Sequence, residues 1–314
     1  MYIIIWKTVT FAKKTTGGIM RKGFFTYLLD NDPEKVITDR GIKFRRFINP
    51  LIRGAMPLKI KTRLKILHRA PLPEEPVIFA CTHGFREDVE ESLITAGRHA
   101  YILVGSLEQF FNSKVDNLAG WLNGVILVDR EDKESRAASK EKMKAALAKG
   151  ASILMYPEGT WNVSPNKLIA GIFPGVYDVA KEAGGVKVVP IATHRHKDIV
   201  YSLRGKAFDI TKYERDEGLR ILRDKLATKK WKLYEHVGAS QRSKLPTGKE
   251  ADAYWAKIIH DLKAEVPHFE HELEEKSIFR QKGEALHEEV YSFMDKLLPH
   301  HGTAFLFNKR YIRI

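Results

Sequence analysis

An α/β fold, with a mixed and largely parallel sheet flanked by helices, is predicted by three features of this sequence. Short apolar, β-branched runs recur between about residues 75 and 212, helical stretches alternate with them, and turn residues bound each run. The predicted strands are "PVIFAC" (76–81), "AYILVG" (100–105), "GVILVD" (124–129), "SILMYP" (152–157), "VKVVPIAT" (186–193) and "IVYSLRGKAFDI" (199–210). Between them, "DKESRAASKEKMKAALAKG" (132–150) reads as a helix that Gly150 ends, and "GVYDVAKEAG" (175–184) as a shorter one. Three parts follow: a basic amphipathic segment (1–70), the α/β domain (71–212) and a C-terminal extension of charged helices (213–314).

At 314 residues, 44% of them hydrophobic, the chain is long enough to bury a core without covalent staples. A single cysteine, Cys81, excludes an internal disulfide and points to a reducing, cytoplasmic setting. The net charge of +14 is concentrated at the front, where residues 1–70 hold 16 Lys or Arg against four acids. Such asymmetry implies an anionic partner, either nucleic acid or membrane headgroups. Apolar residues are threaded through the basic ones in "FFTYLL" (24–29) and "IKFRRFINPLIRGAMPLKIK" (42–61). On a helical wheel Phe44, Phe47, Ile48 and Leu51 share one side and Lys43, Arg46 and Arg53 the other, with Pro50 expected to break or restart the helix. A helix of this kind lies in a bilayer interface or packs its apolar face on the core.

No apolar run approaches the ~20 residues needed to cross a bilayer. In "MYIIIWKTVTFAKK" the charges follow a short apolar run instead of preceding a longer one, the reverse of a secretory leader. Helix-turn-helix, zinc and RNA-binding signatures are missing from the sequence, so the expected partner is an anionic membrane surface on its cytoplasmic face and not nucleic acid. No phosphate-binding glycine loop of the nucleotide or dinucleotide type is present either.

The stretch "CTHGFREDVE" (81–90) places His83 just beyond a predicted strand and Asp88 at the start of a predicted helix. Five residues apart on one helix they would point about 140° away from each other, so a bend is required for them to meet. Gly84 stands where that bend must be. A histidine paired with a carboxylate has its tautomer fixed and its basicity raised, which suits it to deprotonate a hydroxyl. Three further polar clusters close predicted strands: Asp129 and Arg130 after "GVILV", Glu158 and Gly159 in "YPEGT", and the "VVPIATH" run with Pro190. Ligands of open α/β sheets bind beyond the carboxyl ends of the strands, which is where these clusters are expected.

Taken in order, these blocks resemble the glycerolipid acyltransferase family, the HxxxxD acyltransferases that include lysophosphatidic acid acyltransferase. The likeness spans about residues 75–212 and rests on His83 to Asp88, on "GVILVDR" ending in Arg130, on "YPEGT" (156–160) and on "VVPIA" with Pro190. It implies transfer of a fatty acyl group from acyl-CoA or acyl-carrier protein, as co-substrate and with no resident cofactor, to the hydroxyl of a lysophospholipid. His83 would be the general base and Asp88 its orienting partner. Arg130, Glu158, Gly159 and Thr160 would bind the acceptor, and Pro190 would shape the strand beside the site. Two positions depart from the family pattern: Thr82 stands where Asn is common, and Trp161 where Arg commonly follows the Pro-Glu-Gly-Thr turn.

Other readings compete. Cys81, two residues from His83, suggests a Cys-His nucleophile or a packed core thiol. His194 and His196 share one face of an extended chain, as two metal ligands do, without a third ligand at a persuasive spacing. At the level of the whole chain, the alternatives to acyl transfer are a basic, peripheral lipid-binding protein without catalysis and a thioester or ester hydrolase on the same fold.

Overall fold

The computed structural model describes residues 25–59, 62–84, 88–105, 107, 110, 114–162 and 168–237. Seven strands form one sheet: β1 (Arg63–Arg69), β2 (Ile78–Cys81), β3 (Ala100–Val104), β4 (Val125–Leu127), β5 (Ser152–Met155), β6 (Val188–His196) and β7 (Ile199–Arg204). Their order is β1-β7-β6-β2-β5-β3-β4. Every neighbouring pair is parallel except the β6–β7 hairpin, so the sheet is mixed and largely parallel. The helices are α1 (Pro33–Val36), α2 (Asp39–Lys59), α3 (Asp88–Ala96), α4 (Lys114–Asn123), α5 (Lys133–Ala148), α6 (Gly175–Glu182) and α7 (Arg215–His236).

The central strands read as unbroken apolar runs because both faces of the sheet are covered. Ile78 and Ala80 of β2, Ile153 and Met155 of β5 and Val188 of β6 pack with α5, α6 and α7. The alternate residues Phe79, Cys81, Leu154, Val189 and Ile191 pack on the other face with Leu93 and Ala96 of α3. Helix α5 begins on Asp132, whose carboxylate accepts from the backbone N–H groups of Glu134 and Ser135, and Gly150 at φ 82° turns the chain after it.

Three features depart from the expectations. Residues 205–210 are not part of strand β7, which ends at Arg204; they stay tied to β6 by the Gly205 N–H, which donates to the Pro190 carbonyl at 2.8 Å, and by a bridge between Phe208 and Val188. Strand β1 lies inside the basic front segment, yet it pairs with β7. It is an edge strand, mostly exposed and charged, "RLKILHR", and therefore lacks the apolar run that marked the others. Leu28, Val36, Ile37 and Ile42 of the same front segment belong to the core.

Helix α2 corrects one reading, the break at Pro50, and bears on the two readings left open for its apolar stripe. It continues through Pro50 and Pro57. Pro50 and Arg46 both lie on the exposed side of the helix, where the carbonyl that loses its helical donor to a proline is least costly. The apolar stripe also points outward: Phe44, Phe47 and Leu51 are 45%, 81% and 72% exposed, while Ile42, Arg45 and Asn49 form the buried side. Arg45 anchors that side, its Nε donating to the Trp121 carbonyl at 3.2 Å and its guanidinium lying 5.5 Å from the Tyr101 ring centroid. Among the described residues, no helix is long and apolar enough to cross a membrane. The predicted helices beyond residue 237 and the chain before residue 25 lie outside the described residues.

The turn from α4 into β4 has little tolerance. Gly124 adopts φ 94°, and a Cβ there would stand 2.8 Å from Tyr101 Cε1 and 2.9 Å from Arg45 Cδ. Gly124→Ala is therefore expected to lower stability by about 1–3 kcal/mol, measured by urea unfolding of the full chain.

Candidate active site

His83 follows β2 by two residues, and Asp88 opens α3, where the positive end of the helix favours a carboxylate. The bend between them brings the side chains together: His83 Nδ1 lies 3.0 Å from both Oδ1 and Oδ2 of Asp88. Asp88 is fully buried, whereas the imidazole retains 16% exposure. A carboxylate only accepts, so the neutral ring carries its proton on Nδ1 and its lone pair on Nε2. Gly84 contributes by its N–H, which donates to Asp88 Oδ2 at 2.8 Å, and its φ is not in the left-handed region expected of a flexible bend.

Two aromatic rings fix the imidazole plane. Tyr156 stacks on it with centroids 4.1 Å apart and an interplanar angle of 25°, and Trp161 meets it edge-on at 5.9 Å. The Tyr156 hydroxyl donates to the Asp88 carbonyl at 3.1 Å, and burial holds that phenol well above its ordinary range, neutral and able to donate. Thr82, in the position where the resemblance has Asn, ties β2 to β6. Its N–H donates to the Ile191 carbonyl, and its hydroxyl accepts from the Thr193 N–H at 3.0 Å.

Glu158 sits beneath this loop, 2% exposed. Its Oε1 accepts from the His83 N–H at 3.0 Å and its Oε2 from the Ala170 N–H at 2.8 Å. Burial raises its pKa to about 7, against the lowering effects of those two bonds and of Lys230 and His83. The same loop is held again by the Asn162 N–H, which donates to the His83 carbonyl at 2.7 Å.

A cavity of about 370 Å3 opens beside His83, and its walls include Thr82, Gly84, Glu158, Asn162, His194 and Tyr234. Arg130, Gly159, Thr160 and Pro190 are not among its lining residues. Arg130 stands on the same rim of the sheet, beyond β4, but β4 is three strand spacings, about 14 Å, from β2. Its guanidinium packs over Gly105 after β3, where any Cβ would collide with it. Gly159, at φ 72°, makes room for the Phe173 ring, and Thr160 is buried. Pro190 lies within β6 opposite Ala80, and although it has no N–H to give the ladder, its carbonyl accepts from the Gly205 N–H at 2.8 Å.

Cys81 is fully buried in the core, and burial pushes its thiol far up from its usual range, so it stays protonated and is no nucleophile. The His194 ring packs against Tyr234 with centroids 4.1 Å apart, and among the described residues no group of three His, Cys, Asp or Glu is arranged around a metal site. Sequence reasoning did not assign roles to Tyr156, or to Arg195, Lys197, Lys230 and Tyr234, which also line the cavity. Tyr156 stands inside the "YPEGT" block and was within reach of a local reading. The others come from a hairpin and a distant helix, and only folding brings them to His83.

Residues 63–194 match the family model described as Acyltransferase. A 1-acyl-sn-glycerol-3-phosphate acyltransferase of Chlamydomonas reinhardtii is 32% identical over 129 residues, covering 38% of this chain and 35% of that protein. The chain thus matches about a third of that relative's length. Among solved structures, the 1-acyl-sn-glycerophosphate (LPA) acyltransferase PlsC from Thermotoga maritima aligns with a TM-score of 0.45 and 16% identity, covering 72% of this chain and 90% of that one. The segment that matches the Acyltransferase model, residues 63–194, is also the one that carries the His83–Asp88 pair.

Proposed function

We propose that this protein transfers a fatty acyl group from a thioester donor, acyl-CoA or acyl-carrier protein, to the hydroxyl of a lysophospholipid at a membrane surface. The observation that carries this reading is the His83–Asp88 pair, with Nδ1 engaged by a buried carboxylate and the imidazole bordering a substrate-sized cavity. In the proposed reaction, Nε2 takes the proton of the acceptor hydroxyl as its oxygen attacks the thioester carbonyl. The tetrahedral intermediate collapses by breaking the carbon–sulfur bond, and the departing thiolate receives the proton from Nε2. The products are an ester and a free thiol, without an acyl-enzyme. Glu158 acts in this scheme as a positioning residue, since both of its oxygens hold backbone on either side of the catalytic loop. Arg130 is the cation that the resemblance assigns to the acceptor's phosphate.

Membrane attachment is supported by α2. Its outward stripe of Phe44, Phe47 and Leu51 is flanked by the exposed Arg40, Lys43 and Arg46, a basic and apolar combination suited to an anionic interface.

His83→Ala is expected to lower kcat for acylation of lysophosphatidic acid by at least about 100-fold, read by mass spectrometry of the product, with the fold retained. Undiminished turnover would remove the mechanism, and free fatty acid released at equal rate without any acceptor would favour hydrolysis. For Glu158 the folded-state pKa is raised, so the native protein binds more protons than the unfolded chain between pH 4.5 and about 7. Stability should therefore fall as pH rises through that window, and Glu158→Gln should flatten the fall, as urea melts across the range would show. The pair Phe47→Ser and Leu51→Ser, both at exposed positions, should leave thermal unfolding unchanged and weaken binding to anionic liposomes by roughly tenfold or more.

A further inference from the structure

The cavity beside His83 is lined by three cationic side chains, all beyond the end of the family match at residue 194: Arg195 at the end of β6, Lys197 in the turn that follows it, and Lys230 of α7. Among the described residues one acid lines it, Glu158, and its two oxygens accept backbone N–H groups. Its described lining therefore holds more cationic than acidic side chains. Trp161 adds no charge to it, and Arg130 packs elsewhere on the rim.

Two details indicate that these cations are built into the site. Lys197 adopts φ 57°, the one left-handed non-glycine residue among the described residues. It occupies the tight link between His196 and Ile199, where glycine would adopt that backbone without strain, so a side chain is kept at a position that does not favour one. Arg195 Nε donates to the Lys197 carbonyl at 3.4 Å, which draws the guanidinium along the same turn. From the other side, the Lys230 ammonium donates to the Thr193 carbonyl. It also stands 3.9 Å from where a Cβ on Gly84 would be, next to the loop that holds His83.

We propose that Lys230, Lys197 and Arg195 seat a phosphate group of a substrate beside His83. The acyl-transfer reading supplies the two possible sources, a phosphate on the acceptor headgroup or one on the pantetheine-containing donor; the seat itself rests on the cavity and its charges. A phosphate matches this set because several oxygens can accept from several cations at once. Anion recognition in this chain would then come from the β6–β7 turn and α7, in place of the arginine that the family commonly carries at the position of Trp161.

Calorimetric titration of the full chain with glycerol 3-phosphate against glycerol, and with coenzyme A against pantetheine, tests the seat. In at least one pair the phosphate-bearing compound should bind at least tenfold more tightly than its neutral counterpart, with an affinity that falls as salt rises. The pair that discriminates identifies the source. Lys230→Met and Lys197→Gly should each weaken that binding by about tenfold, and Lys230→Arg should restore most of it. Lys197→Gly relieves the left-handed backbone, so its unfolding temperature should be no lower than that of the parent, which separates lost charge from lost fold. Equal affinities within both pairs, or unchanged affinity in Lys197→Gly and Lys230→Met, would overturn the proposal. Phosphate-selective binding by a protein that transfers no acyl group from any thioester would leave the seat standing and remove the acyl-transfer reading instead.

Discussion

A carboxylate with no exposure to water, gripping one nitrogen of a ring that borders a cavity, is the interaction on which the rest of this site depends. Asp88 can stay buried because its neighbours satisfy it: His83 Nδ1 reaches both oxygens, the Gly84 N–H reaches one, and the start of α3 supplies a favourable dipole. That arrangement removes the ambiguity of a lone histidine. A ring with Nδ1–H committed to a carboxylate has its lone pair on Nε2, and the stacked Tyr156 leaves it little freedom to rotate.

The sheet and its loops transmit this order to the site. Strand β2 runs into Thr82, which is bonded to β6 through backbone and hydroxyl, so the loop that carries His83 starts from a fixed point. Glu158, at the end of the neighbouring β5, holds the His83 N–H with one oxygen and the Ala170 N–H with the other. A buried acid in this role has a cost, visible in its raised pKa, and the proximity of the Lys230 ammonium offsets part of it. Helix α7 therefore bears on the site twice, by its charge and by lining the cavity, although it lies outside the segment that matches the family.

Much of this was legible in the sequence, for local reasons. Strands β2, β3, β5 and β6 are covered on both faces and so wrote continuous apolar runs, and His83 and Asp88 are near enough in sequence that a single bend joins them. What escaped was set by the surroundings of an element and not by its own pattern. Strand β1 is a charged edge. The wheel of α2 revealed an apolar stripe but not that the buried side would be Ile42, Arg45 and Asn49, with the arginine satisfied by a carbonyl and two aromatic rings. The buried side of α7 likewise includes Arg223 and Lys230 among Leu222, Leu226 and Leu233, so its pattern does not announce which face meets β6. Arg130 follows the carboxyl end of β4, but strand order, which no local pattern records, separates β4 from β2 by two intervening strands.

Nitrogen-15 spectra of the histidine side chains, with His83 assigned by substitution and recorded where its ring is neutral, bear most directly on the central claim. The account predicts an amine-like Nδ1 and an unprotonated, pyridine-like Nε2, a signature that Asp88→Asn should perturb. A neutral ring protonated on Nε2 would contradict it, because such a ring has no lone pair to offer the cavity.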